Sequence, residues 1–145
     1  MSVKLLIADD SSQVRESLKL LLMREGIDVI EAATCQQAIR MASRLDLDAV
    51  LMDINMPDGS GLDVLVRIRQ EHPGLPVLMH SEYDRPSYRS RSHALGAACY
   101  LVKGLNKEVL LEAIHQALSN NNVSVDTHHT PCGAIAANKG GQRTP

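Results

Sequence analysis

Phenylalanine and tryptophan are absent from the chain, and its only aromatics of this class are Tyr83, Tyr88 and Tyr100. A core without large aromatic rings must be filled by Leu, Ile, Val, Met and Ala. Cysteine is also sparse: Cys35, Cys99 and Cys132 are odd in number and include no CxxC pair. That excludes a disulfide framework and predicts reduced thiols in a cytoplasmic protein. No stretch reaches the roughly 18 apolar residues that a membrane helix needs. The apolar run after Lys4 is cut by Asp9 and Asp10, so neither a signal peptide nor a membrane partner is expected. Neither charge dominates. The formal net charge is −2, and nothing at whole-chain level points to a nucleic-acid or membrane surface.

What is present fits one globular domain: 145 residues, 44% hydrophobic and 22% charged. Short apolar runs of strand length alternate with longer runs of helical period. Val3–Ala8, Ile27–Ala32, Ala49–Ile54, Pro76–Ser81 and Ala98–Val102 are the predicted strands. The third is apolar enough to be buried on both faces. Helices are predicted from Ser12 to Arg24, from a Thr34/Gln37 capping box to about Arg44, and from Leu62 to about Glu71. A weaker one runs from Ser87 to Leu95, with Pro86 in its first turn and Gly96 at its end. Asn106 caps the last, in which Leu110, Ile114 and Leu118 share a face. Asn55–Gly61 (NMPDGSG) reads as a loop.

Five strands alternating with five helices imply right-handed crossovers and a flavodoxin-like α/β fold, a doubly wound parallel sheet covered on both faces. After residue 119 the composition turns to Asn, Thr, Gly and Pro without period. Residues 1–119 are therefore expected to form the domain. Residues 120–145 are expected to be a flexible tail, a linker stub or an expression remnant.

Ligands of such sheets bind beyond the carboxyl ends of the strands, where the strand order switches. Asp9 and Asp10, Asp53, Ser81 and Lys103 stand at those ends. Three ionised carboxylates in one crevice repel each other. A hard divalent ion with oxygen ligands, Mg2+, relieves that repulsion. A lysine ammonium and a serine hydroxyl complete a receptor for a dianionic phosphoryl group, and an aspartate can attack phosphorus to form an acyl phosphate.

These pieces carry a resemblance. LLIADD, LMDINMPDGSG, Ser81 after PVLMH, and GAACYLVK ending at Lys103 resemble, in order and separation, a response-regulator receiver domain from Val3 to about Leu118. The resemblance implies that Asp53 is the phosphoacceptor. It implies Mg2+ on Asp9, Asp10, Asp53 and the backbone carbonyl of Asn55, with Lys103 paired to the phosphoryl group. Ser81 and Tyr100 would be the switch pair, and Pro57 and Gly61 would shape the loop after the acceptor. It further implies a sensor histidine kinase or phosphotransfer protein as donor. The output surface would be the fourth helix, fifth strand and fifth helix, acting on an output domain or downstream protein, with a homodimer left open. Such a domain catalyses only its own phosphorylation and dephosphorylation.

One departure is Gly104, where the family often has a proline in a cis bond. A cis bond before a non-proline costs about 2.5–4 kcal/mol, so a trans bond or a differently shaped turn is expected. The missing proline tilts the resemblance towards receivers joined to the helix-turn-helix output of quorum-type regulators. The chain itself contains no recognition helix, so direct DNA binding is not expected of it.

An aspartyl-phosphate phosphohydrolase would need a second Asp two residues after the nucleophile, and Asn55 stands there. A nucleotide-binding module would need a Gly-rich phosphate loop after the first strand, which is absent. Arg85, Arg89 and Arg91 are either a partner surface or a solvated helix face, and the tyrosines fit an interface or the core. His80 is expected to be a packed neutral imidazole. His128, His129 and Cys132 lack a fourth ligand for a closed metal site.

Overall fold

The computed structural model describes residues 2–104 and 106–120. The order is β1 (Val3–Ala8), α1 (Ser12–Met23), β2 (Ile27–Ala32), α2 (Cys35–Arg44) and β3 (Ala49–Asp53). Then come β4 (Asn55–Met56), β5 (Gly59–Ser60), α3 (Gly61–Glu71), β6 (Val77–Ser81), α4 (Pro86–Ala94), β7 (Cys99–Val102) and α5 (Lys107–Asn120). The main sheet is parallel, in the order β2-β1-β3-β6-β7. The order reverses between β1 and β3, and that is where an open sheet leaves its crevice.

The sheet divides two aliphatic cores by the alternation of strand side chains. Leu6, Val50, Met52, Val77 and Met79 face α2 and α3, whose Ala38, Leu62, Leu65 and Ile68 pack on them. Leu5, Ile7, Ala49, Leu51 and Leu78 face α1 and α5, meeting Leu18, Leu22, Leu110 and Ile114. Each fully buried aliphatic side chain stabilises the fold by about 1.5–3 kcal/mol. Tyr100 is the one aromatic in the buried core, which is otherwise built from aliphatic side chains, Met, Ala and Cys.

The helix ends match their caps. Ser11 Oγ accepts from Val14 N at 3.2 Å, and Thr34 Oγ1 accepts from Gln37 N at 3.1 Å. The Gln37 amide reaches back to Ala33 N at 2.7 Å rather than to the cap's own N–H, a shifted capping box. Asn106 Oδ1 accepts from Glu108 N at 2.7 Å. Helix α4 is the weak one: of its residues only Ser92 is buried.

Two expectations need correction. The segment Asn55–Gly61 is not all loop: Asn55–Met56 and Gly59–Ser60 pair as a two-residue antiparallel ladder, and Gly61 already belongs to α3. The pairing closes so tight a turn that composition alone reads as irregular. Cys35 is a buried free thiol, but Cys99 is disulfide-bonded, so three reduced thiols do not hold. A cysteine outside a fixed spacing carries no sequence sign of pairing. His128, His129, Cys132 and the expected tail from residue 121 onward lie outside the described residues. Among the described residues no helix is long and apolar enough to cross a membrane.

Candidate functional site

The carboxylates converge as the topology requires. Asp9 and Asp10 follow β1, Asp53 ends the adjacent β3, and one carboxylate oxygen from each lies within 4.8 Å of the others. Asp9 and Asp53 are buried and Asp10 is exposed. The end of β1 is held from several sides. Asp9 N donates to Ala32 O at 3.0 Å, Asp9 Oδ1 accepts from Ser11 N at 2.9 Å, and Arg15 Nη1 donates to Asp9 O at 2.6 Å. Arg15 is fixed in turn by Glu31, at 2.9 Å.

Lys103 enters from the far side of the crevice. Its N–H donates to Ser81 O at 2.7 Å, which ties the end of β7 to the end of β6. Its Nζ then lies 2.7 Å from Asp9 Oδ2 and 3.2 Å from Asp53 Oδ2. Burial works against the Lys103 charge, but the hydrogen bond it donates to Asp9 and the field of Asp53 outweigh it and hold its pKa above the usual lysine value. For Asp53, burial dominates. It pushes the pKa up to about 6, with Asp9 adding to the rise and Lys103 opposing it. One ammonium among three carboxylates leaves the cluster short of positive charge. A set of oxygen donors with excess negative charge, partly open to solvent through Asp10, fits a hard divalent cation such as Mg2+.

Ser81 is fully buried, and its Oγ accepts from Tyr83 N at 3.1 Å. Tyr100, on β7, is 6% exposed and its hydroxyl donates to the Tyr83 carbonyl. The Arg89 guanidinium stacks 5.1 Å from the Tyr100 ring centroid and pairs with Asp84 at 2.5 Å. Arg85 lies over both Tyr83 and Tyr88, at 5.0 and 5.5 Å. The basic stretch is thus neither free cations nor a plain solvated face: two of its three arginines are stacked on rings. His80 is 7% exposed, and burial pushes its pKa down to about 4, in keeping with a packed neutral imidazole.

The loop after Asp53 is pinned by contacts that local sequence does not announce. Asn55 N donates to Asp53 Oδ1 at 3.4 Å. Asp58 accepts from Cys35 N at 2.8 Å and Gln36 N at 3.1 Å, so it caps α2 from another element. Asp58 and Arg15 are the site-supporting residues that the sequence reading missed. Their partners stand 22 to 23 and 6 to 16 residues away, and no short-range pattern marks them. The peptide bond between Lys103 and Gly104 is trans, as expected, and Gly104 turns the chain with φ 90°.

Residues 5–115 match the response regulator receiver domain family. The chain is a response regulator receiver domain. This receiver is 35% identical over 120 residues to the transcriptional regulatory protein YdfI of Bacillus subtilis (strain 168), which covers 81% of the chain and 56% of YdfI. It is 34% identical over 119 residues to the response regulator PilR of Pseudomonas aeruginosa, covering 82% of the chain and 27% of PilR. The receiver therefore spans about half of one relative and a quarter of the other. Among solved structures it resembles a CheY-like receiver from Methanospirillum hungatei, with TM-score 0.80, 29% identity, and coverage of 83% of this chain and 97% of that one. It also resembles TrrA of Thermotoga maritima in complex with Mg2+ and beryllofluoride, with TM-score 0.73, 32% identity, and coverage of 79% and 98%. The predicted flavodoxin-like fold holds, and so does the reading of a phosphoryl-accepting signalling switch of two-component systems.

Proposed function

We propose that Asp53 is the residue that takes the phosphoryl group, and that a sensor histidine kinase or phosphotransfer protein supplies it. The observation that carries this is the Asp53 carboxylate, buried at the sheet's switch point with Lys103 Nζ at 3.2 Å and the Asp9 and Asp10 carboxylates beside it. Asp9, Asp10, Asp53 and the Asn55 carbonyl would hold Mg2+, which when bound supplies positive charge to the phosphoryl oxygens. The Mg2+ complex of TrrA supports that choice of ion.

The chain's own groups then divide the work. Asp53 attacks phosphorus through a carboxylate oxygen, and the donor histidine leaves with the bond electrons. Lys103 moves from the carboxylates to the phosphoryl oxygens, where charge gathers in the transition state. Ser81 gives up the Tyr83 N–H and turns its hydroxyl to the phosphate. Tyr83 and the Tyr100 hydroxyl move with it, because both are tied to that same backbone. Two packings of β6, α4 and β7 thus differ in how well they accept the phosphate, which shifts the population towards an active surface. Water hydrolyses the acyl phosphate and resets it. On this reading the domain catalyses only its own modification.

The output is a helix-turn-helix domain or a separate protein acting through α4, β7 and α5, with a second copy as a further partner. YdfI and PilR are named as regulators, and a LuxR-family response regulator from Aurantimonas resembles the fold with TM-score 0.78 and 26% identity, covering 83% of this chain and 87% of that one. The test is intact mass after incubation with acetyl phosphate, with and without Mg2+, on wild type and Asp53→Asn. One phosphoryl group is expected on the wild type with Mg2+ only. An adduct of equal yield on Asp53→Asn overturns the assignment.

A further inference from the structure

On the face of the sheet away from Ser81, α1 and α5 part near the ends of β6 and β7. They leave a cleft of about 430 Å3, within the range of roughly 300–1,000 Å3 typical of small-molecule sites. Its walls are mostly apolar, with Leu18 and Leu21 from α1, Val102 from β7 and Leu110 from α5, and Gln13 and Ser17 add polar side chains on the α1 side. Packing would ordinarily close such a gap with larger side chains, but this sequence has no Phe or Trp to do it.

His80 also lines the cleft, although only 7% of its surface is exposed. Its imidazole makes no hydrogen bond to any described residue. A ring with unused N–H capacity at the wall of a cleft lined largely by apolar side chains is placed to donate to an occupant of that cleft. The remaining charged lining is Lys103 and Lys107, and no acid lines the cleft. Lys103 directs its ammonium to Asp9 and Asp53 and contributes its aliphatic stem. Lys107 is exposed and opens the 14-residue helix α5, whose positive end adds to the same field.

We propose that this cleft binds a small carboxylate with an apolar body, its hydrocarbon between α1 and α5 and its carboxylate held by the His80 N–H and the Lys107 ammonium. The proposal does not rest on the assignment of Asp53, and its test is made on unphosphorylated protein, so its failure leaves that assignment untouched. Octanoate serves as the probe and 1-octanol as its uncharged counterpart, each titrated into 15N-labelled protein and followed by backbone amide shifts. Saturable shifts with octanoate are expected at Val14, Leu18, Val102 and Leu110, with 1-octanol at least roughly tenfold weaker. Ser17→Trp, which fills the cleft from the exposed side of α1, is expected to abolish them. Lys107→Glu, a surface change that leaves the core intact, is expected to weaken octanoate several-fold and leave 1-octanol unaltered. Unsaturable shifts with octanoate overturn the site, as does equal binding by Ser17→Trp. Equal affinity for 1-octanol overturns the carboxylate.

Discussion

A Cβ on Gly61 would lie 1.9 Å from the carbonyl oxygen of Asp53 and 2.9 Å from its carbonyl carbon. Helix α3 therefore starts in van der Waals contact with the backbone of the proposed acceptor, and Gly61 N closes the turn by donating to Ile54 O at 2.6 Å. No other residue fits without moving Asp53. Gly61→Ala should destabilise the fold by about 3 kcal/mol, the upper part of the range for overpacking, read as a lower urea midpoint. Gly74→Ala, where a Cβ meets nothing within 4 Å, should stay within about 0.5 kcal/mol. Equal midpoints for the two variants would refute the contact.

The acceptor should make the metal-free protein less stable as it ionises. Asp53 has its pKa pushed up to about 6 by burial, against about 3.9 for an unfolded aspartate. Its stabilising contribution is complete below the unfolded value and is lost as pH rises through about 6, at most about 3 kcal/mol. In chelator at pH 7.5, Asp53→Asn should thus be more stable than wild type, and the gap should close towards pH 4. His80 acts in the opposite direction. Its pKa is pushed down to about 4 by burial, so its contribution is present above about 6.5 and lost as pH falls. Urea melts of Asp53→Asn should therefore weaken on acidification below that point. A wild type as stable as Asp53→Asn at pH 7.5 would contradict the buried charge.

Divalent ions should relieve the same repulsion. Mg2+ at ten times its dissociation constant would add about 1.4 kcal/mol, a rise in melting temperature of several degrees that EDTA reverses. Asp9→Asn removes one buried donor of the cluster and should abolish most of that rise. Retention of the full rise in Asp9→Asn would place the ion elsewhere.

Lys103→Met keeps the aliphatic stem and deletes the ammonium that lies 2.7 Å from Asp9 and 3.2 Å from Asp53. Loss of one preorganised donor costs about 10²–10³ in rate, so phosphorylation by acetyl phosphate should slow by about that factor at saturating Mg2+. The same variant should bind Mg2+ no more weakly than wild type, since a positive neighbour is gone. An unchanged phosphorylation rate would remove Lys103 from the chemistry.

Sequence alone determined the βα alternation, the aliphatic core and the acids, serine and lysine at the strand ends. Strand and helix periods are local, and the crossover rules convert their order into a sheet with one crevice. It also signalled the caps at Thr34 and Asn106, because a capping oxygen and the N–H that donates to it lie within three residues. The ladder Asn55–Met56/Gly59–Ser60, the Asp58 cap on α2 and the Arg15 clamp on Asp9 were decided by tertiary structure. So were the stacking of Arg89 on Tyr100 and the cleft beneath His80. Each joins residues from different elements, or depends on how closely two helices approach. Those distances follow from the packing of the whole core, which no window of neighbouring residues contains.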